Sequence, residues 1–242
     1  MKRFALAGIL LFPFTMLAFW VYWGTTLRHD MAADATKKTT AERLEQYGPA
    51  ARTRLQPFFT AQKVAYPPAR AVFVGLKQEK LLEVYAANSN QQPVFIRSYT
   101  VLAASGKPGP KLGEGDGQVP EGVYPIEFLN PNSQYHLSLR VGYPSQFDLD
   151  RAHEEHREDL GGDIMIHGGA ASVGCLAVGD EAAEDLFVLA ADTGIQNVTV
   201  VIAPVDFRNP AAQTAFLTNL PDWTPNLYQI IKSNLNALPP AK

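Results

Sequence analysis

The sequence is nearly without cysteine. One residue, Cys175, stands in 242, so an internal disulfide is excluded. Charge is sparse as well. Only 19% of residues are charged, the net charge is −3, and Lys and Arg are scattered, so the electrostatic footprint of a nucleic-acid binder is missing. No internal repeat or low-complexity tract occurs, which excludes a solenoid. A His-Glu-x-x-His helix is also lacking. The nearest stretch, His153-Glu154-Glu155-His156, sets its histidines three apart among charges and reads as a solvated face. Neither a metal site nor a cofactor is expected. With 46% hydrophobic residues, the chain has enough apolar material for one packed domain plus extras.

Uncharged runs of membrane-spanning length are equally scarce, and the one present is N-terminal. Lys2 and Arg3 precede Phe4 to Trp23, twenty residues without a charge. That length crosses a hydrocarbon core as a helix. Cations before it fit an N-in, C-out orientation, and Trp20, Tyr22 and Trp23 stand where an interfacial aromatic belt would. A cleaved signal peptide is the competing expectation. Trp20-Val21-Tyr22-Trp23 is a poor cleavage site, and Met31-Ala32-Ala33-Asp34-Ala35 lies far along. Residues 1–24 are therefore read as an anchor and 25–65 as a tether with a helical segment. Either way the remainder is exported, in a Gram-negative cell to the periplasm. There oxidants threaten an unpaired thiol, so Cys175 is expected to have a use.

The helical segment is expected from about Ala41 with Thr40 as cap, and Gly48-Pro49 is expected to split it. Ala71 to Leu76 and Leu81 to Ala86 read as a hairpin, and Val94 to Leu102 as a third strand. Gly106 to Gly122 holds six glycines and three prolines in seventeen residues, so it reads as a long surface loop. Loops of that length are usually functional or disordered. Val123 to Leu129 and Tyr135 to Val141 are further strands. Pro144 to Gly162 is charged and reads as a loop or short helix. Asp180 is the expected cap of a helix closed by Gly194, and Val198 to Ile202 is a buried strand. Helices are expected again over Ala212 to Leu220 and about Asn226 to Leu235, with Trp223, Leu227, Ile230 and Ile231 docking this tail. Short strands that do not alternate with helices favour a mainly β, mostly antiparallel domain over 66–208 with peripheral helices, and a helical tail over 209–242.

Chemistry concentrates in Ile164-Met165-Ile166-His167-Gly168-Gly169-Ala170-Ala171-Ser172-Val173-Gly174-Cys175. An apolar strand leads to small residues and then to the thiol. His167 and Cys175 are eight residues apart, enough for a loop to fold imidazole back onto thiol. A neighbouring imidazole makes a thiol a nucleophile. Gly174 frees the backbone beside Cys175, so the Gly174 and Cys175 amides are candidates to hold an oxyanion. The alternative is a small buried hydrophobe and a satisfied core histidine.

Ile166-His167-Gly168 followed by Ser172-Val173-Gly174-Cys175 resembles the signature of the L,D-transpeptidase (YkuD) family of peptidoglycan enzymes, which is His-Gly, a spacer, then Ser/Thr-His-Gly-Cys. Two departures, a short spacer and Val173 in place of the second His, are features of the YafK-like branch. Gly109-Pro110-Lys111, Glu114 to Gly122 and Asn130 to Leu139 also match that branch, and the resemblance runs from about Tyr66 to Arg208. It implies a β-sandwich-like catalytic fold and a role in building or remodelling the cell wall and cell shape. Cys175 is then the nucleophile, His167 the general base and acid, and Gly168 the residue whose backbone orients the imidazole. Ser172 is a candidate for the turn or the substrate side, and Tyr143 and His136 for the cleft wall. The implied substrates are meso-diaminopimelate stem peptides. An amine acceptor makes the enzyme a transpeptidase. Water makes it an L,D-endopeptidase or amidase, for instance on lipoprotein–peptidoglycan links, with an outer-membrane lipoprotein as partner. A peptidoglycan-binding module with a dead site is the non-enzymatic alternative.

Overall fold

The described residues of the computed structural model are 37–211 and 218–241. The expected anchor over residues 4–23 and most of the expected helix from Ala212 to Leu220 lie outside them. Among the described residues no helix is long and apolar enough to cross a membrane.

Helix α1 (Thr40–Ala61) opens with a capping box in which Thr39 accepts from the Glu42 N–H and the Glu42 side chain reaches back to the Thr39 N–H. The cap is thus one residue earlier than expected. The expected break at Gly48-Pro49 does not occur, for α1 runs through both Pro49 and Pro57. Its inner face explains this. Ala51, Leu55 and Phe59 are fully buried, and packing of such a stripe outweighs the lost backbone bond and the ring clash. Arg52 binds Asp192 through two N–H donors, and Arg54 reaches Glu184 and the fully buried Asp185, so α1 is tied to a later helix by charge as well as by apolar contact.

Among the described residues nine strands follow in one hydrogen-bonded order, β3-β2-β1-β9-β5-β6-β7-β8-β4. They are β1 (Arg70–Leu76), β2 (Leu81–Ala87), β3 (Val94–Thr100), β4 (Ala103–Ala104), β5 (Gly122–Ser133), β6 (His136–Val141), β7 (Met165–His167), β8 (Leu176–Ala177) and β9 (Val198–Ala203). Pairing is antiparallel except for β1 with β9 and β7 with β8. The expected third strand ends early, at Thr100, and a short β4 follows. The long β5 joins two halves: Gly122 to Pro125 pair with β9, and Ile126 to Ser133 pair with β6, with register shifts between Ile126 and Phe128 and between Asn130 and Ser133. Phe73, Leu82 and Val200 of one half share a core with Leu137, Leu139 and Ile166 of the other. At Gly75 a Cβ would come 3.1 Å from the Leu176 side chain, so glycine there lets the halves close on each other. The architecture is mainly β with peripheral helices.

Helices α2 (Gln146–Glu154) and α3 (Asp180–Thr193) complete the first core. Gly179, not Asp180, takes the cap position of α3, while Gly194 closes it as expected. The outer face of β1 and β9 packs on α4 (Thr224–Asn236) through Val74, Leu76 and Val201 against Leu227, Ile231 and Leu235. Strands covered on both faces read as continuous apolar runs, which is how β1, β2 and β9 were recognisable. Ile230, expected to dock α4, is instead exposed, one position off the buried stripe.

Candidate active site

Strand β7 delivers His167. Ile164 and Ile166 face the core, so Met165 and His167 face the other way. In the antiparallel pair with β6, Ser138 lies opposite His167 and Arg140 opposite Met165. In the parallel pair with β8, Ile166 lies opposite Leu176 and His167 opposite Ala177. Opposite residues share a face. Cys175, one residue before Leu176, therefore lies on the His167 face, one strand over and two residues back. Ordinary strand spacing and rise put the two Cα atoms about 8 Å apart, close enough for the side chains to lean together.

The histidine is held from two sides. Nδ1 lies 2.6 Å from the Gly168 carbonyl oxygen. A carbonyl only accepts, so Nδ1 carries the proton and Nε2 keeps its lone pair. Tyr135 stacks on the ring with centroids 4.7 Å apart. The residue is 2% exposed, and burial pushes the imidazole below its ordinary range, against the Gly168 carbonyl, which raises it. His167 is thus a neutral base at neutral pH. Gly168 is required sterically. A Cβ there would meet Asp180 Oδ1 at 2.5 Å, the Tyr135 carbonyl oxygen at 2.8 Å and the His136 Cβ at 3.0 Å.

The thiol receives the Met165 N–H at 3.4 Å and donates to the Asp163 carbonyl at 3.6 Å. Burial pushes it above its ordinary value. The Met165 N–H acts against this, the nearby Asp163 charge adds to it, and Lys111 also pulls down. Burial thus favours the neutral form of both thiol and imidazole.

Both candidate oxyanion amides already donate. The Gly174 N–H bonds Ser105 Oγ at 2.5 Å, and the Cys175 N–H bonds Ser172 Oγ at 3.0 Å, while Ser172 in turn donates to the Cys175 carbonyl at 2.6 Å. The two hydroxyl oxygens stand in for an oxyanion, and one must give way for an amide to receive it. Ser172 is therefore a turn clasp around Cys175. Val173, at the tip of that turn, is 84% exposed.

The long loop before β5 packs over this turn. Ser105 donates to the Gly117 carbonyl, and the Gln118 carbonyl lies 3.5 Å from a Cβ built on Gly174. Asp116 orders the loop by accepting from Lys111 and from the backbone of Leu112, Gly113 and Gln118. Burial alone would raise that carboxyl, but these four donors hold it below its usual range. At the base, buried Lys77 pairs with buried Glu121 at 2.9 Å and also donates to the Gly109 and Val119 carbonyls.

Of the two residues expected at the cleft, Tyr143 lies elsewhere, and His136 stands beside Gly168 with its ring turned to α1 and α3. Tyr143, two residues beyond the end of β6, is a core residue whose hydroxyl donates to the Leu160 carbonyl. His136 bonds Glu184 of α3 at 3.0 Å and meets Tyr47 of α1 edge-on. Three contributors were not anticipated: Tyr135, Ser105, and Asp180, whose Oδ1 accepts the Gly169 N–H at 2.8 Å. Tyr135 and Ser105 carry no local motif. Asp180 looks like an ordinary cap.

A model of the L,D-transpeptidase catalytic domain matches residues 69–202, more than half of the chain. The chain belongs to the L,D-transpeptidase catalytic domain family. The matched span contains His167, Cys175 and the long loop. YafK of Escherichia coli (strain K12), assigned to the L,D-transpeptidases, is 32% identical over 113 residues, which is 46% of this chain and 43% of that relative. The chain thus aligns with less than half the length of the curated relatives it matches. Among solved structures, the helical cell shape determining protein Pgp2 from Campylobacter jejuni is 22% identical with a TM-score of 0.43, covering 55% of this chain and 47% of that one. Bd1075 of Bdellovibrio bacteriovorus is 22% identical with a TM-score of 0.40, covering 58% and 50%.

Proposed function

We propose that the protein is a peptidoglycan-modifying cysteine L,D-transpeptidase that acts on meso-diaminopimelate stem peptides through a thioester on Cys175. The observation that carries this reading is the parallel β7–β8 pair that sets Cys175, one residue before β8, beside the His167 strand, where Sγ takes the Met165 N–H, with Nδ1 of His167 at the Gly168 carbonyl. In the first half-reaction Nε2 takes the thiol proton as Sγ attacks the diaminopimelate carbonyl carbon. The tetrahedral oxyanion is received by the Gly174 or Cys175 amide as a serine hydroxyl withdraws. Collapse breaks the C–N bond, and the amine leaves with the proton from His167. In the second half-reaction an acceptor amine attacks the thioester, gives its proton to Nε2, and the thiol re-forms as the new amide departs. Water in place of the amine gives hydrolysis with the same proton traffic. In this reading residues 4–23 hold the chain at the inner membrane, and the catalytic unit meets its substrate in the periplasm.

The test is product analysis with purified disaccharide tetrapeptides, with and without lipoprotein-linked muropeptides. New diaminopimelate-linked dimers are expected. Only shortened or released products would move the reading to an L,D-endopeptidase, and unchanged substrate with retained binding would leave a binding module.

A further inference from the structure

The sheet face that carries His167 and Cys175 also carries a cation whose partners are exchangeable. Two cross-strand rows run over this face. One is Asn130, Ser138, His167 and Ala177. The other is Phe128, Arg140 and Met165, and the register leads on to Cys175. Arg140 therefore stands two strands from the nucleophile, about 10 Å between Cα atoms from ordinary strand spacing. Its link to the thiol is short: the Arg140 Nη1 donor bonds the Asp163 side chain, and the Asp163 carbonyl receives the Cys175 thiol. The Arg140 guanidinium also lies 5.6 Å over the half-exposed Phe128 ring.

The two carboxylates that hold Arg140 are poorly buried, with side chains 80% exposed for Asp163 and 46% for Glu127, while Arg140 itself is 28% exposed. Such pairs are weak and open to competition. Nor do they satisfy the guanidinium. Nε lies 2.9 Å from Glu127 Oε2 but out of line for a hydrogen bond, and this buried donor has no partner. An arginine held by two replaceable acids, on the sheet face that carries His167, suits a planar anion.

We infer that Arg140 is a specificity residue that takes a free carboxylate of the substrate peptide, displacing Asp163 or Glu127. The inference rests on the acyl-transfer reading of the site for where the peptide lies. The two-strand offset selects a peptide whose carboxylate is several bonds from the attacked carbonyl, as the far end of a diamino diacid side chain is.

The test is equilibrium binding to full-length Cys175→Ala chain of two tetrapeptides that differ only in carrying carboxylate or carboxamide at that side-chain end. The carboxylate peptide is expected to bind roughly tenfold to a hundredfold more tightly, as for a hydrogen-bonded charge. Arg140→Gln in the same background should erase the difference and leave the carboxamide peptide unchanged. Asp163→Asn should tighten the carboxylate peptide alone, a gain that misfolding does not produce, and Asn tolerates the left-handed conformation of that position, where φ is 54°. Equal binding of the two peptides, no binding of either, or discrimination that survives Arg140→Gln would overturn the inference. Turnover by the wild-type chain is scored separately. Discrimination without turnover would retain the carboxylate site and reject the transpeptidase. Turnover without discrimination would do the reverse.

Discussion

Burial makes His167 easier to deprotonate and Cys175 harder, so in the proposed acyl transfer the two groups need each other at the moment of attack. The expected pH behaviour follows. Acylation of Cys175 should fall on acidification through a midpoint below the ordinary imidazole value of 6.5, as Nε2 gains a proton. Alkylation by iodoacetamide should climb with pH through a midpoint above the ordinary thiol range, without a plateau near neutrality. Rate profiles against pH check both. The same shift bears on stability. A histidine depressed in the fold stabilises above its unfolded value and loses that contribution as pH falls through its folded value. His167→Gln should therefore flatten the acid side of the Tm–pH curve. Tyr135 acts through His167. Tyr135→Ala should cost about 0.5–1.5 kcal/mol of ring contact, seen as a severalfold loss in kcat with an altered pH profile, and Tyr135→Phe should restore both.

At the scale of elements, the site depends on loops that larger contacts hold still. Gly168 sits where the β6 turn and the start of α3 converge, and Gly168→Ala should cost about 1–3 kcal/mol by overpacking while removing nearly all activity, measured by chemical denaturation beside turnover. The loop from Ser105 to Glu121 is stapled by the Lys77–Glu121 pair. Removing one partner leaves a buried charge, so Glu121→Ala should cost about 3–5 kcal/mol. Exchanging both for apolar residues should cost less. Much of this framework was legible from sequence. The hairpin, β5, β6, β9 and the His167-to-Cys175 stretch are strong local patterns. What was not legible came from distant pairs. Continuity of α1 through Pro49 depends on the buried Ala51, Leu55 and Phe59 stripe. The role of Asp180 depends on Gly169 passing its side chain. Tyr143 and His136 are chemically suited to a cleft, and only register decides that one faces the core and the other α1 and α3.

Across the unit from Thr39 to Lys242, the C-terminal helix is tied to the sheet and to the base of the long loop. Helix α4 covers the outer sheet face, and its Tyr228 hydroxyl reaches Glu121 Oε2 at 2.9 Å, joining the tail to the base of the active-site loop. Ile231→Ala should destabilise by about 2–5 kcal/mol in denaturant titration. In the proposed function the larger scales serve one chemical event, formation of a thioester on Cys175. Intact mass spectrometry of the chain mixed with a diaminopimelate tetrapeptide tests it most directly. Wild type should gain the mass of the peptide minus its leaving amine, lost again when an amine or hydroxylamine is added, and Cys175→Ala should gain nothing. A wild-type chain that turns the peptide over without ever carrying that mass, or an adduct that persists in Cys175→Ala, would contradict the role given to Cys175.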